Sequence, residues 1–221
     1  MKYTLSYSGG KDSTVMLLEI IKRKLPLDYI IFMDTTFELP EMYDYIDMVE
    51  KYINRPIIRL QPNKIFEEWF GGTFTRGRNR GIVRGFPLQY LPCYWQREAK
   101  TVPFDKFVKD IGEYKNYVGY TTDEKHRIML SDVFLYPLIE WGYSEKDCLE
   151  YLKEIGLLNP LYNKFKRTGC FWCHKQPLRS LKVICNEYPE QWEWIKAHEK
   201  NSPNGYRFNF SCEEFEKKYK I

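Results

Sequence analysis

The sequence predicts an α/β protein: a doubly wound, mostly parallel sheet with a helical C-terminal extension. Three observations lead there. Short β-rich runs alternate with helical runs through the first half of the chain, a Gly-rich turn joins the first such pair, and the chain beyond about residue 160 becomes aromatic-rich and helical. The strand-like runs are Lys2–Tyr7, Tyr29–Asp34, Pro56–Leu60 and Tyr117–Tyr120, each short and bounded by turn chemistry. Between them lie helical runs at Ser13–Lys24, Leu39–Tyr52 with Pro40 in its first turn, and Gln96–Gly112. Such alternation implies right-handed βαβ units and a sheet covered on both faces.

Further along, Ser144-Glu145-Lys146-Asp147 opens an amphipathic helix with Cys148, Leu149, Leu152 and Ile155 on one stripe and Gly156 as its stop. Cys148 therefore reads as core. Pro189–Lys200 is a helix in which Trp192 and Trp194, two apart, face different ways, leaving one toward solvent. Ser211 and Glu214 form a capping box that starts a last helix. The expected division is an α/β domain over 1–160 and a cysteine-containing helical extension over 161–221.

With 43% hydrophobic and 17% aromatic residues, the 221-residue chain can bury one good core. No apolar stretch approaches the ~20 residues of a membrane span. Lys2, Ser6 and Ser8 break up the start, so no signal peptide is expected and the chain reads as cytoplasmic. Six cysteines in that compartment point to metal, redox chemistry or burial before disulfides. Net charge is only +4, but Trp69 to Arg97 contains no Asp or Glu while holding Arg76, Arg78, Arg80, Arg84 and Arg97 among five glycines. This reads as a mobile cationic loop suited to phosphates or a nucleic-acid backbone, with a solvated surface insertion as the plainer alternative.

The most informative segment is Ser6–Tyr7–Ser8–Gly9–Gly10–Lys11–Asp12–Ser13–Thr14. A Gly-rich turn between a strand and a helix N-terminus cradles anions through converging N–H groups and the helix dipole. Ser8, Ser13 and Thr14 add hydroxyls and Lys11 a cation, although Ser13 as a simple helix cap is the bland reading. The spacing is not that of a Walker A loop. Ligands of open α/β sheets sit beyond the strand carboxyl ends at the switch point. There, Ser8–Ser13, Asp34–Phe37 and Gly119–Asp123 would gather.

SGGKDS resembles the PP-loop of the ATP pyrophosphatases, the adenine nucleotide alpha-hydrolase-like proteins with a Rossmann-like sheet. Within that superfamily the chain looks most like the phosphoadenylyl-sulfate (PAPS) reductase family. Asp34-Thr35-Thr36-Phe37-Glu38-Leu39-Pro40-Glu41 is similar to its "DTG…FPET" stretch, with Thr36 where Gly is usual. Cys93 with Lys100 and Pro103 resembles its cysteine-Lys-x-x-Pro segment. Gly119–Arg127 resembles "G-x-R-x-x-E", with Thr121 replacing Arg. Tyr136–Trp141, Asn159-Pro160-Leu161-Tyr162 and Gly169-Cys170-x-x-Cys173 resemble "P-L-x-x-W … N-P-L-Y … G-C-x-x-C". The Glu-Cys-Gly-x-His tail of sulfonucleotide reductases is missing, since Cys212 is followed by Glu213-Glu214-Phe215.

The resemblance implies an adenine-nucleotide site built from Ser6, Ser8, Gly9, Gly10, Lys11, Asp12, Ser13, Asp34, Thr35 and Gly119. Lys11, Asp12 and Arg127 would act on ATP with Mg²⁺. Cys170 and Cys173 stand in a basic setting (Lys164, Lys166, Arg167, Lys175) that favours thiolates. A redox dithiol, two buried thiols and a metal site compete there. The resemblance recruits Cys93, giving an iron–sulfur cluster on Cys93, Cys170 and Cys173, completed by Cys185, Cys212 or a non-protein ligand. Zinc with His174 is the alternative.

Three functions follow as expectations. The first is ATP-dependent adenylation with pyrophosphate release and sulfur transfer to nucleic acid held by the Arg76–Arg84 loop. The second is reduction of adenylyl sulfate or its 3′-phosphate with Cys212 as nucleophile, and the third a nucleotide-dependent sensor or adaptor. A homodimer is compatible with all of them.

Overall fold

The computed structural model describes residues 1–220. Five parallel strands form one sheet in the order β3-β2-β1-β4-β5. They are β1 (Lys2–Tyr7), β2 (Tyr29–Met33), β3 (Ile57–Leu60), β4 (Tyr114–Tyr117) and β5 (Phe134–Leu135). Thr4 of β1 lies opposite Tyr29 on one side and Asn116 on the other. The chain therefore winds outward through β2 and β3, then returns past β1 to build β4 and β5. That reversal puts the switch point at the carboxyl end of β1, where the Gly-rich turn begins.

Helix α1 (Lys11–Lys22) starts two residues earlier than the sequence suggests. Gly10, in an extended conformation, is its N-cap and no side chain caps it. Ser13 does not cap the helix. Its Oγ and the Oγ1 of Thr14 donate back to the Gly10 carbonyl at 3.0 and 2.9 Å. Helix α2 (Pro40–Ile53) carries Pro at its start and stops on Asn54 at φ +49. Helix α3 (Phe66–Gly71) precedes the Arg-rich segment. That segment is tied rather than loose, for the amides of Phe74, Arg84 and Gly85 donate to Ile82, Gly72 and Phe70 carbonyls. Arg84 also donates to the Trp69 carbonyl at 2.8 Å.

The helical run expected over Gln96–Gly112 is three pieces: α4 (Tyr94–Gln96), a π-turn at Arg97–Thr101, and α5 (Val102–Ile111). Pro103 explains the widening, since it lacks the N–H that would bond back to the Ala99 carbonyl. Strand β4 ends at Tyr117, three residues before the expected Tyr120, which frees Gly119 and Tyr120 from the ladder. Two-residue β5 is too short to show the alternation that marks a strand in the sequence.

Beyond it come α6 (Pro137–Glu140), α7 (Glu145–Glu154), α8 (Leu178–Glu187), α9 (Pro189–Glu199) and α10 (Cys212–Tyr219). The capping boxes expected at Ser144 and Ser211 are both present. Cys148 is buried, as its helix stripe requires.

One apolar cluster runs from Leu5 in the sheet to Phe215 in α10. Its densest part is aromatic. Phe37, just after β2, packs within 4.5 Å of Phe66 and 5.7 Å of Trp172, measured between ring centroids, and so ties the sheet to the C-terminal helices. Trp192 is buried, and Trp194 is half-buried with its ring stacked 3.6 Å from His198, so neither tryptophan is left to solvent. Among the described residues no helix is long and apolar enough to cross a membrane.

Candidate active site

Three glycines shape the turn after β1. Gly9 sits at φ +69, and a Cβ there would come within 2.3 Å of Met42 Sδ. Its carbonyl accepts from Asn159 Nδ2 at 3.0 Å. A Cβ on Gly10 would press on Ser8 Oγ at 3.2 Å and Tyr162 Oη at 3.3 Å. A Cβ on Gly119 would stand 3.3 Å from the Ser13 backbone, so the end of β4 passes flat against the start of α1.

The turn closes a cavity of about 350 Å³. Ser6, Ser8, Gly10, Lys11, Asp12 and Ser13 line one side, and Gly119 and Arg127 come from beyond β4. Gly9 shapes the turn from behind, against Met42. Several amides that would meet an anion already hold partners: Ser8 N–H donates to Ser13 Oγ, Gly10 N–H to Ser8 Oγ and Lys11 N–H to Tyr162 Oη at 2.9 Å. A phosphate entering this turn would replace the Tyr162 hydroxyl on the Lys11 amide.

Lys11 Nζ lies 3.0 Å from Asp12 Oδ2 and 2.9 Å from Glu145 Oε2. Burial pulls the ammonium toward neutrality, but Asp12, Glu145 and Tyr162 outweigh it and hold its pKa above the ordinary value. Asp12 moves against its partner, because burial raises its carboxyl pKa more than Lys11 lowers it. The pair is best described as an ammonium that stays charged beside a poorly solvated carboxylate. Arg127 pairs with Glu124 and lays its guanidinium 4.3 Å from the Tyr120 ring. Lys100, Lys166 and Arg167 complete a cationic lining broken by Asp12, Glu124 and Glu145.

Asp34 and Thr35 lie outside this lining, although both follow β2 as expected. Asp34 is buried and accepts from the Thr36 amide, Tyr43 Oη and Gln61 Nε2 at 2.8 to 3.1 Å. It holds Thr36 at φ +65, a left-handed conformation that glycine adopts more readily. Thr35 faces the thiols, with Oγ1 donating to Glu38 Oε1 at 2.9 Å and lying 3.1 Å from Cys170 Sγ.

Cys170 and Cys173 share one turn, the Cys173 amide donating to the Cys170 carbonyl at 3.0 Å, and Cys93 lies within electrostatic reach of Cys173. Thiolates are not favoured as the basic flanking sequence suggests. Burial pushes Cys170 well above the usual thiol range, Glu38 adds to the rise, and only Lys100 and Thr35 oppose it. Burial likewise raises Cys93. Among the described residues, no group of three or more His, Cys, Asp or Glu side chains is arranged to hold a metal ion. His174 is buried with Nε2 3.2 Å from the Leu91 carbonyl, and its Nδ1 has no partner.

Cys185 and Cys212 sense each other within the C-terminal helices. Cys212 borders a cavity of about 580 Å³ with Glu199, Arg207 and Phe210. Despite its size, that cavity offers little nucleophilic chemistry: Cys212 is buried, and burial together with Glu199 drives its pKa strongly upward.

Sequence reasoning assigned no site role to Lys100, Glu145 or Tyr162. Tyr162 and Lys100 stood inside family-like segments and could have been found there. Glu145 carried no signal, because it reaches Lys11 only through the packing of α7 on α1.

Residues 2–78 match the family model of the phosphoadenosine phosphosulfate reductase domain. An uncharacterized protein of Methanocaldococcus jannaschii is 26% identical over 204 residues, 86% of this chain and 39% of that protein. Phosphoadenosine 5'-phosphosulfate reductase of Buchnera aphidicola subsp. Acyrthosiphon pisum is 26% identical over 170 residues, 72% of this chain and 64% of the enzyme. The chain thus spans less than two thirds of the length of either relative. Among solved structures, phosphoadenylyl-sulfate reductase from Candida auris, a phosphate complex, superimposes with a TM-score of 0.55 at 17% identity, over 77% of this chain and 81% of that one. Candida glabrata FMN adenylyltransferase with FAD and inorganic pyrophosphate gives 0.52 at 15% identity, over 76% and 55%. These solved neighbours share with this chain a parallel α/β fold. The match to the phosphoadenosine phosphosulfate reductase domain model covers the first three strands and the turn after β1.

Proposed function

We propose that the chain binds ATP at the turn after β1 and adenylates an acceptor with release of pyrophosphate, for sulfur transfer to nucleic acid. The observation that carries this reading is the gathering of Lys11, Lys100 and Arg127 around one cavity at the switch point of the sheet. Amides and hydroxyls of Ser8–Ser13 would hold the β- and γ-phosphates. An acceptor carbonyl oxygen attacks the α-phosphorus, and the bond to the bridging oxygen breaks with its electron pair leaving on pyrophosphate. Lys11 and Arg127 offset the charge that grows on that leaving group. Asp12 Oδ1 is buried without a hydrogen-bond partner, an oxygen donor of the kind Mg²⁺ takes. Bound there, Mg²⁺ would supply charge neutralisation at the phosphates. External sulfide then displaces AMP from the activated carbon.

The test is product analysis with ATP, Mg²⁺ and candidate acceptors. Pyrophosphate and AMP are expected, and ADP would overturn the reading. The reductase reading needs Cys212 as an accessible nucleophile, and its burial beside Glu199 argues against it.

The thiols Cys93, Cys170 and Cys173 are part of the proposal as soft donors for an iron–sulfur cluster, with zinc as the rival. Drawing them onto a cluster would break the Cys170–Thr35 contact. Anaerobic purification should yield iron and acid-labile sulfide in comparable amounts that fall in Cys173→Ser. Zinc alone, or iron unaffected by that change, would refute the cluster.

A further inference from the structure

A second cavity, about 330 Å³, opens beside the thiols, with Cys170 and Cys173 in its lining. Lys166, Arg167 and Lys175 line it, and no acidic side chain does. Lys166, Arg167 and Thr168 also line the first cavity, so the two spaces share a wall. That wall stands close to the turn, since a Cβ on Gly10 would be 3.6 Å from Thr168 Oγ1. Gln176, Pro177 and Ser180 bring the start of α8 to the same space. Gln176 Nε2 donates to the Cys170 and Phe171 carbonyls at 2.9 and 3.1 Å, which fixes the amide and leaves its Oε1 buried with no partner.

The occupant that meets these demands is anionic and larger than a bare phosphate, as ligand cavities starting near ~300 Å³ usually require. The surroundings add a direction of approach. Phe74, at the base of the Arg76–Arg84 segment, packs 5.4 Å from the ring of Tyr94, and Cys93 next to it senses Cys173. Arg76, Arg78 and Arg80 are exposed, and so is Tyr90, at 75%. Cations interleaved with exposed aromatics are what a single strand uses for backbone attraction and base stacking.

We propose that this second cavity holds one phosphodiester-linked nucleotide of a single-stranded acceptor, its phosphate against Lys166, Arg167 and Lys175. The strand would continue over the Arg76–Arg84 segment. The placement rests on the adenylation reading of the first cavity and assigns that reaction its acceptor site.

Lys175 is the residue to test, because it is exposed and lines only the second cavity. Binding of a short end-labelled single strand, followed by fluorescence anisotropy, should weaken about fivefold in Lys175→Glu, with ATP affinity unchanged. In Lys175→Ala the slope of log affinity against log salt should shrink by about 0.7. The same strand should slow acetylation of the Lys175 amine, read by peptide mass mapping, whereas millimolar inorganic phosphate should not. Equal protection by phosphate would mark a free-anion pocket and overturn the proposal. So would a strand that fails to bind, or one indifferent to both Lys175 variants. Pyrophosphate release without Lys175 protection sinks this placement alone; protection without pyrophosphate release sinks the adenylation reading alone.

Discussion

Replacing Lys11 with Gln is expected to lower ATP-dependent pyrophosphate release by at least about a hundredfold, the usual cost of removing one preorganised stabiliser of developing charge. The loss should fall mainly on turnover, because the ammonium would meet the leaving group more strongly than bound ATP. Removing it also strands Asp12, whose carboxylate is poorly solvated and whose ion-pair partner is Lys11. A stability loss of about 1–3 kcal/mol is therefore expected alongside. The double variant Lys11→Gln/Asp12→Asn should recover much of the stability and none of the activity. Sign matters for the pH profile. A lysine whose folded pKa lies above its ordinary value keeps its charge through neutrality and loses it only as pH rises past the ordinary lysine range. Activity should accordingly show no alkaline fall from Lys11 near neutral pH. Full turnover in Lys11→Gln would remove this residue from the chemistry.

Trp95→Ala should have the largest structural effect, about 3–5 kcal/mol of lost stability. For a chain of this size that is a fall in Tm of roughly 10 °C or more. Trp95 is 1% exposed, and its ring lies 5.0 Å from Phe66 and 5.1 Å from Trp69. Its Nε1 donates to the Thr35 carbonyl at 3.3 Å. The side chain thus joins the segment carrying Cys93 and Lys100 to the segment carrying Thr35 and Glu38. Truncation would loosen the thiol site and the cationic wall together. Urea denaturation with thiol labelling of Cys93 measures both, and Trp95→Phe should retain most of the stability. A change below about 1 kcal/mol would mean that the site is held by other contacts.

Much of the sheet was legible because its signals are local. Lys2–Tyr7 and the Gly-Gly turn announce β1 and α1 through strand composition and backbone freedom, and the switch point follows from chain order. Capping boxes at Ser144 and Ser211 are equally local, a hydroxyl and a carboxylate three residues apart. What escaped depends on distant partners. The π-turn at Arg97–Thr101 needs Pro103 read against Ala99 in a helix already formed. The half-burial of Trp194 depends on His198, which bonds to Glu67 from another helix at 2.9 Å. Burial beside Glu38 reverses the thiolate tendency that the basic residues around Cys170 suggest, and no linear pattern reports that depth. Asp34 was legible as a functional-looking acid, yet it braces Thr36 at positive φ from beneath the site. Glu145 was invisible for the same reason: it meets Lys11 across a helix–helix contact.

The margins of the sheet bear on how this chain behaves in a crowded solution. Two-residue β5 ends one side, leaving few unpaired amides for a neighbour to zip onto. Arg59, paired with Asp47 and Glu50, places charge along β3 on the other side. Fibril-like stacking through strand addition is thereby discouraged at both borders.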